Sequence, residues 1–306
     1  MSTHHYSPLR YPGGKTSLFD FLLKSLEKNN INYGTYVEGY AGGAGAALKL
    51  LMLEYVGDIY LNDKDPLLST FWEAVLNHTE DLTRLIFNTE ASIDNWTYRH
   101  NLLNNKNIER DISIPELAFT CFYLNRCNRS GILAGGPIGG NDQTGTWKID
   151  ARYNKLELIK RIELIALYKD RIHVSNKDAV TFLRNFERLN YDKSKVLLYL
   201  DPPYVRQGKE LYRHYFHKKD HIRLAQFLQK ETKYKWIVSY DDHELIHEIY
   251  KEVTKNIFEF NYYANRTKVG RELVISSKNF ILPDIFEHYS RMRGIDQDES
   301  LDGTNS

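Results

Sequence analysis

Seven short runs rich in β-branched and aromatic residues alternate along this chain with segments whose apolar residues recur at helical spacing. The runs lie at 35–38, 58–62, 171–175, 195–200, 235–239, 257–263 and 272–277. Strands separated by helices run parallel, because each crossover helix returns the chain to the same end of the sheet. A short connection joins the last two runs, so one of them is expected to be antiparallel. The pattern predicts an α/β protein with a mostly parallel, seven-stranded sheet.

The interval between the second and third runs contains helical segments and a glycine-rich loop but no predicted strand. We therefore expect an inserted, mainly helical subdomain at 66–164, which divides the sheet-bearing domain into 1–65 and 165–287. Insertions at the carboxyl edge of a parallel sheet usually carry recognition. The last residues, 288–306, lack apolar periodicity and are expected to form a disordered tail.

Composition favours a folded protein, since 42% of the 306 residues are hydrophobic and the net charge is +1. This charge does not favour a nucleic-acid partner, although a local basic face would suffice for one. The two cysteines, Cys121 and Cys127, are too few for a disulfide framework and wrongly spaced for a zinc site. No apolar stretch approaches the roughly 18 residues of a membrane span, and the polar N-terminus is unlike a signal peptide. The use of only two cysteines favours a reducing cytoplasm as the location.

A glycine cluster follows the first predicted strand in "TYVEGYAGGAGAALKLL", residues 35–51. Glycines allow a tight turn there, and the next helix offers free N–H donors to a ligand. The dinucleotide fingerprint begun at Gly43 would require glycine in place of Leu48, so it fails. Asp63 ends the next strand, where a carboxylate can accept hydrogen bonds from ribose hydroxyls. These features indicate an adenosine-containing cofactor; the alternative is that Asp63 merely caps a helix.

The stretch "VLLYLDPPY" places Asp201 at the carboxyl end of a buried strand, the edge at which such sheets bind ligands. Pro202 and Pro203 remove two N–H donors, so the turn presents carbonyl oxygens and a carboxylate beside the ring of Tyr204. Acceptors suit a substrate with an NH₂ group, and the ring suits a flat π-system. The combination fits a flipped-out base. The alternative is an ordinary Pro-Pro turn with a surface tyrosine.

These motifs give the chain a specific resemblance. In order along the sequence stand "RYPGGK", "YVEGYAGGAG", "LND", "FYLNR", "DPPY" and "RELVISS". The chain resembles the Dam-type DNA adenine methyltransferases of the α-ordered class, the D12 family, from about Leu9 to Ser277. The resemblance implies a Rossmann-like class I methyltransferase fold, S-adenosyl-L-methionine as cofactor and no metal. It also implies direct methyl transfer to the N6 of adenine in double-stranded DNA.

The resemblance carries over residue by residue. The turn Asp201–Tyr204 matches the catalytic motif without substitution. The cofactor contacts that it implies, besides Asp63, are Tyr11, Lys15, Glu38, Tyr40, Gly42 and Asp178. Lys15 is the lysine of a Gly-Gly-Lys-Thr stretch, residues 13–16, but Leu9 stands where a P-loop needs glycine. The segment "RYPGGK" is therefore interpreted as closing over the cofactor. The chain departs from the family in Gly39, where proline is usual, and in Ala44, where the second loop glycine is usual.

A second glycine-rich stretch, "CFYLNRCNRSGILAGGPIGGNDQTGTW", is a candidate reader of DNA. Arginine pairs with guanine and asparagine with adenine in the major groove. The side chains of this kind are Asn125, Arg126, Asn128 and Arg129. A mobile surface loop is the alternative. Because several positions here differ from the family, no recognition sequence is inferred.

A basic run with interleaved aromatics, 205–223, follows the catalytic turn, and we expect Arg213 within it to contact DNA phosphates. The alternative is a solvated face. The segment 265–271, "NRTKVGR", is interpreted as a loop between the last two strands that closes over the flipped base.

Three other functions remain open at this point. They are methylation of cytosine-N4 or of RNA, nucleic-acid binding without catalysis, and NAD-dependent oxidation. Aspartate at position 201 argues against the cytosine version of the first, and the intact DPPY motif against the second. Leu48 and a sheet that continues into DPPY argue against the third. A restriction endonuclease partner would be a separate chain.

Overall fold

The computed structural model describes residues 6–10, 18–105, 108–205, 216–253, 255–264 and 266–283, and for 255–272 it describes the backbone alone. Its strands are β1 (Thr35–Glu38), β2 (Asp58–Asn62), β3 (Ile172–Ser175), β4 (Val196–Leu200), β5 (Lys235–Asp241), β6 (Lys255–Ala264) and β7 (Arg266–Ser276). They form one sheet in the order β3-β2-β1-β4-β5-β7-β6. Strands β1 to β5 are mutually parallel, and β7 is antiparallel to both of its neighbours. The predicted mostly parallel sheet with one antiparallel strand is confirmed.

One predicted loop is wrong. Residues 266–271 belong to β7 and pair with β6, in a register that runs from Ala264 opposite Arg266 to Glu259 opposite Arg271. The β-branched residues Thr267 and Val269 alternate along this stretch, which favours a strand. The basic residues of this segment, which were interpreted as part of a loop, therefore belong to the long hairpin of β6 and β7. Residue 265, between the two strands, lies outside the described residues.

Helices fill the connections between the parallel strands. Helix α1 (Phe19–Lys28) precedes β1, and α2 (Gly45–Met52) connects β1 to β2. Between β2 and β3 lie α3 (Pro66–Asn77), α4 (Thr79–Asn88), α5 (Ile93–Leu102), α6 (Ile108–Asp111), α7 (Ile114–Cys127) and α8 (Lys155–Ala166). After β3 come α9 (Ala179–Glu187), α10 (Lys218–Lys230) and α11 (Glu244–Ile249). No described helix is both long and apolar enough to cross a bilayer.

The two faces of the sheet bury two separate hydrophobic cores, because side chains alternate along each strand. On one face, residues such as Tyr36 and Leu197 pack against α1 to α5, α7 and α8. On the other, residues such as Val37 and Leu198 pack against α9, α10 and α11. The helices between β2 and β3 thus share a core with one face of the sheet. Cys121 and Cys127 lie buried in that core and are not joined in a disulfide.

Candidate active site

Five parallel strands end at the same edge of the sheet, and the residues that follow them form the candidate site. The chain leaves β1 at Gly39, β2 at Asp63, β3 at Asn176 and β4 at Asp201. This edge is where open α/β sheets bind ligands. Most of the predicted site residues therefore belong to neighbouring turns.

The turn after β1 is fixed by the acid at the end of β2. Gly42, with φ of 48°, donates its N–H to Asp63 Oδ2 at 2.9 Å, and Trp72 Nε1 of α3 donates to the Gly42 carbonyl at 3.0 Å. The other carboxylate oxygen of Asp63 accepts the N–H of Asp65 at 2.9 Å. Asp65, and not Asp63, caps α3, since its side chain accepts the Leu67 N–H. The structure thus places Asp63 beside the glycine turn and gives the helix cap to another residue.

Burial raises the pKa of the Asp63 carboxyl to about 6, although the two N–H donors act in the opposite direction. Desolvation penalises the charged form of a carboxyl group, and hydrogen bonds to it favour that form. A ligand that adds further donors would therefore stabilise the ionised carboxylate. Ribose hydroxyls are donors of this kind.

Asn62 is a site residue that the sequence interpretation did not include. Its fully buried amide donates to the carbonyls of Gly39 at 3.1 Å and Lys177 at 3.0 Å, and its oxygen accepts the Lys177 N–H at 3.0 Å. The side chain thereby joins the turns that follow β1 and β3. A polar residue at the end of the buried strand "DIYLN" was the available signal.

The structure explains the glycine at position 39. A Cβ there would lie 2.4 Å from Cδ2 of Leu200, a buried residue of β4. A proline ring would meet the same side chain. The Leu200 side chain therefore explains why glycine stands at position 39, where the family usually has proline.

The turn that carries Asp201 is held at both ends by β5. Ser239 Oγ donates to Asp201 Oδ1 at 2.9 Å, and Asp241 Oδ1 accepts the Val205 N–H at 2.9 Å. Tyr199 Oη lies 3.0 Å from Ser239 Oγ. Because the single hydroxyl proton of Ser239 is directed to Asp201, Tyr199 is the donor of that bond. Ser239 and Asp241 were missed from the sequence, since nothing local to either residue shows which turn lies next to β5.

Pro202 and Pro203 are buried, whereas Asp201 and Tyr204 are partly exposed. The two prolines therefore fix the turn, while the carboxylate and the ring of the motif reach the surface. This is the arrangement that a group acting on an external substrate requires.

Glu38 lies on the same face of the sheet as Asp201 and is buried. Tyr36 Oη donates to Glu38 Oε1 at 3.1 Å, and the Tyr36 ring stacks on that of Tyr199 with centroids 6.3 Å apart. Burial and the nearby Glu38 raise the pKa of Tyr36 well above its usual range. Tyr36 is therefore a permanent hydrogen-bond donor to Glu38.

Tyr40 and Asp178 lie on the side of the turn nearest α9 and α10. Asp178 caps α9 by accepting the Thr181 N–H at 3.2 Å and forms an ion pair with Arg223 of α10. The hydroxyl of Tyr40 is buried and has no hydrogen-bond partner among the described residues. An unsatisfied buried hydroxyl costs free energy, so it is a natural contact for a ligand.

The structure corrects the role of two asparagines that were predicted to contact bases. Asn125 and Asn128 are 1% and 0% exposed. The amide of Asn125 pairs with the backbone N–H and carbonyl of Arg10 at 2.7 and 2.6 Å. Asn128 accepts from Trp96 Nε1 at 2.6 Å and donates to the carbonyls of Ile132 and Leu133. Both amides are used inside the protein, so they shape the loop and do not reach a base.

The two predicted arginines differ in exposure. Arg126 is partly buried, and its Nε donates to the carbonyl of Arg152 at 2.6 Å. Arg129 is exposed at the base of the glycine-rich loop, where an antiparallel bridge between Asn128 and Pro137 folds the chain back. Contact of Arg129 with DNA stays a prediction.

Three predicted site residues lie outside the described residues. They are Tyr11, Lys15 and Arg213. Arg10, directly before the first of these, is described, and its backbone is fixed by Asn125. A Cβ on Gly131, whose φ is 76°, would lie 2.4 Å from the Arg10 carbonyl oxygen, so this close approach requires glycine.

The strand order and the acids at the strand ends define a Rossmann-like α/β protein of the methyltransferase type. The chain belongs to the family described as D12 class N6 adenine-specific DNA methyltransferases, which it matches over residues 11–268.

A curated relative is modification methylase LlaI from Lactococcus lactis subsp. lactis, which is 22% identical over 324 residues. The alignment covers 96% of this chain and 48% of that protein. The chain therefore spans about half the length of the curated relative that it matches.

Replacing Asn128 with alanine should lower the free energy of unfolding by about 2–3 kcal/mol, because the indole N–H and two loop carbonyls lose their buried partner. Replacing the adjacent, exposed Arg129 with alanine should change it by less than about 0.5 kcal/mol. Urea unfolding of both variants measures the difference. Equal stability of the Asn128→Ala variant and the wild type would contradict the structural role.

Proposed function

We propose that this chain transfers a methyl group from S-adenosyl-L-methionine to the exocyclic N6 of an adenine flipped out of duplex DNA. The observation that carries the proposal is the placement of Asp201. Ser239 holds one of its carboxylate oxygens, in a turn of two prolines, at the sheet edge that also bears Asp63 and Gly42. The proposed acceptor for the amino group and the residues proposed to bind the adenosine moiety thus follow neighbouring strands of the sheet.

The described residues fit the proposed cofactor. Asp63 would accept hydrogen bonds from the ribose hydroxyls, beside a turn in which Gly42 has no side chain to obstruct the ligand. The unpartnered Tyr40 hydroxyl and the Asp178 carboxylate are polar groups near the place where the resemblance implies the adenine ring. The bound cofactor would supply an electrophilic methyl group on a sulfonium.

Asp201 and the turn around it would prepare the nucleophile. The N6 lone pair of adenine is delocalised into the ring, so it reacts poorly in the planar amine. Hydrogen bonds from the NH₂ group to the Asp201 carboxylate and the Pro202 carbonyl would draw N6 toward tetrahedral geometry. Tyr204 would stack on the base and hold the lone pair toward the methyl group. Most of the rate enhancement would come from alignment and electrostatics.

The relative matched is named a modification methylase, and that name suggests a biological setting. We propose that this chain likewise modifies DNA alongside a separate restriction endonuclease. The partner would recognise the same sequence and be encoded as another protein.

Replacing Asp201 with alanine should abolish methyl transfer and leave the affinity for S-adenosyl-L-methionine within a few-fold of wild type. The carboxylate is assigned to the substrate amine, and Asp63 and Gly42 to the cofactor. Methylation assays and calorimetric titration with the cofactor measure the two effects. Asp201→Asn retains an acceptor for Ser239, so it serves as the variant with intact packing, and it should be inactive as well.

The methyl-transfer activity of Ser239→Ala should lie between that of these variants and that of the wild type. Its kcat should be about tenfold below wild type, because it loses one charge-assisted hydrogen bond that positions the carboxylate. KM for DNA and cofactor affinity should be unchanged.

Loss of cofactor binding in a folded Asp201→Ala protein would contradict the role given to Asp201.

The affinity for S-adenosyl-L-methionine should rise several-fold between about pH 5 and about pH 7. The pKa of Asp63 is about 6 in the free protein, and ribose hydroxyls donating to the carboxylate would lower it. Binding would therefore release a proton, which makes binding stronger as pH rises through this window. Asp63→Asn should bind more weakly and show no rise. If Asp63→Asn retained the full pH dependence, the titrating group would be one other than Asp63.

A further inference from the structure

Four arginines from distant parts of the sequence meet at the carboxyl end of α7. This arginine cluster consists of Arg10, Arg126, Arg152 and Arg161. Arg10 belongs to the N-terminal segment, Arg126 to α7, Arg152 to the loop before α8, and Arg161 to α8. The tertiary fold alone brings their charges together.

Backbone carbonyls hold the guanidinium groups in place. Arg126 donates to the carbonyls of Arg152 at 2.6 Å and Pro8 at 3.5 Å. Arg10 donates to the carbonyl of Asn128 at 3.1 Å, and Arg161 to that of Ser7 at 3.4 Å. Carbonyls orient a guanidinium group but do not neutralise it.

Among the described residues, only Arg161 of this cluster has a carboxylate partner, Glu157. Arg10, Arg126 and Arg152 form no ion pair within the described part of the chain. Elsewhere, arginines of this protein commonly do pair, as Arg171 does with Glu54 and Arg184 with Glu231. The guanidinium charges of Arg10, Arg126 and Arg152 therefore lie together without a carboxylate partner in the described part of the chain.

Burial and the proximity of these charges lower the pKa values of two members of the cluster. Burial, and then the neighbouring charges of Arg10 and Arg161, lower the pKa of Arg126 to about 10. Burial and the charge of Arg152 lower the pKa of Arg10. Like charges held together in a partly buried place are stabilised when an anion binds among them.

The surroundings indicate which anion that is. Arg10 immediately precedes the segment assigned to the cofactor and active site, and Arg126 lies two residues before Asn128, where the glycine-rich loop begins. That loop exposes Arg129 and Trp147, the latter to 69%. Guanidinium forks match the geometry of phosphate oxygens. On the proposed function, the phosphate present on this side of the protein belongs to the DNA.

We propose that the arginine cluster binds a backbone phosphate of the DNA and so anchors the duplex beside the glycine-rich loop. The proposal rests on the proposed function and refines it. Arg126, predicted from the sequence to contact a base, contributes to a phosphate contact that is independent of base sequence.

Arg152→Gln tests the proposal, because the Arg152 side chain is exposed and the carbonyl that accepts from Arg126 is retained. Its DNA affinity should be lower than wild type on every duplex sequence tried. The slope of log affinity against log salt should be shallower by about 0.9, the value of one phosphate contact. The ratio of wild-type to variant affinity should therefore shrink about three- to fourfold between about 50 and about 200 mM salt. Arg126→Gln should change the slope in the same direction.

The matched control is Arg188→Gln. Arg188 is an exposed arginine at the end of α9, and that helix runs from the carboxyl edge of the sheet back toward the opposite edge. It should leave affinity and slope unchanged, and thermal unfolding should show that all three variants are folded. Titration with S-adenosyl-L-methionine should give wild-type affinity for each.

A wild-type slope in both Arg152→Gln and Arg126→Gln would overturn the proposal while leaving the proposed function intact. Weaker cofactor binding with an unchanged slope would also overturn it, since the anion would then be the cofactor carboxylate. If the wild-type protein neither binds nor methylates duplex DNA, the proposed function fails and this inference fails with it.

Discussion

The site depends on hydrogen bonds that the neighbouring strands make to the turn after β1. Gly39 donates to the carbonyl of Tyr199, Ala41 to that of Asn62, and Gly42 to the carboxylate of Asp63. These three N–H groups of the turn thus donate to residues at, or directly after, the ends of β2 and β4. These hydrogen bonds therefore set the path of the turn. That path determines where α2 begins and where Asp63, the acid proposed to bind ribose, lies relative to the turn.

A second set of contacts connects the N-terminal segment to the glycine-rich loop. Asn125 binds both backbone groups of Arg10 and also the carbonyl of Gly131. One buried amide thereby fixes the segment that precedes the predicted cofactor contacts and the loop predicted to read DNA. This side chain therefore links the position of the Arg10 backbone to that of Gly131.

The sequence was sufficient where the signal is periodic and insufficient where it depends on neighbours. Alternating strands and helices predicted the sheet and its antiparallel strand, and the turn at Asp201 was recognisable from its two prolines. The chemistry of asparagine, by contrast, does not distinguish an amide that reads adenine from one that satisfies backbone groups, as Asn128 does. Ser239 acts on Asp201 only because β5 lies next to β4. Likewise, Arg10 and Arg152 meet only in the folded chain.

In the proposed reaction, Asp201 and its turn act on the amino group of adenine in DNA. The most direct measurement is transfer of labelled methyl from S-adenosyl-L-methionine to duplex DNA of mixed sequence, followed by digestion and identification of the labelled nucleoside. If Asp201 has this role, label should appear in N6-methyl-2′-deoxyadenosine alone. Label in N4-methyl-2′-deoxycytidine, or in RNA but not in DNA, would contradict it.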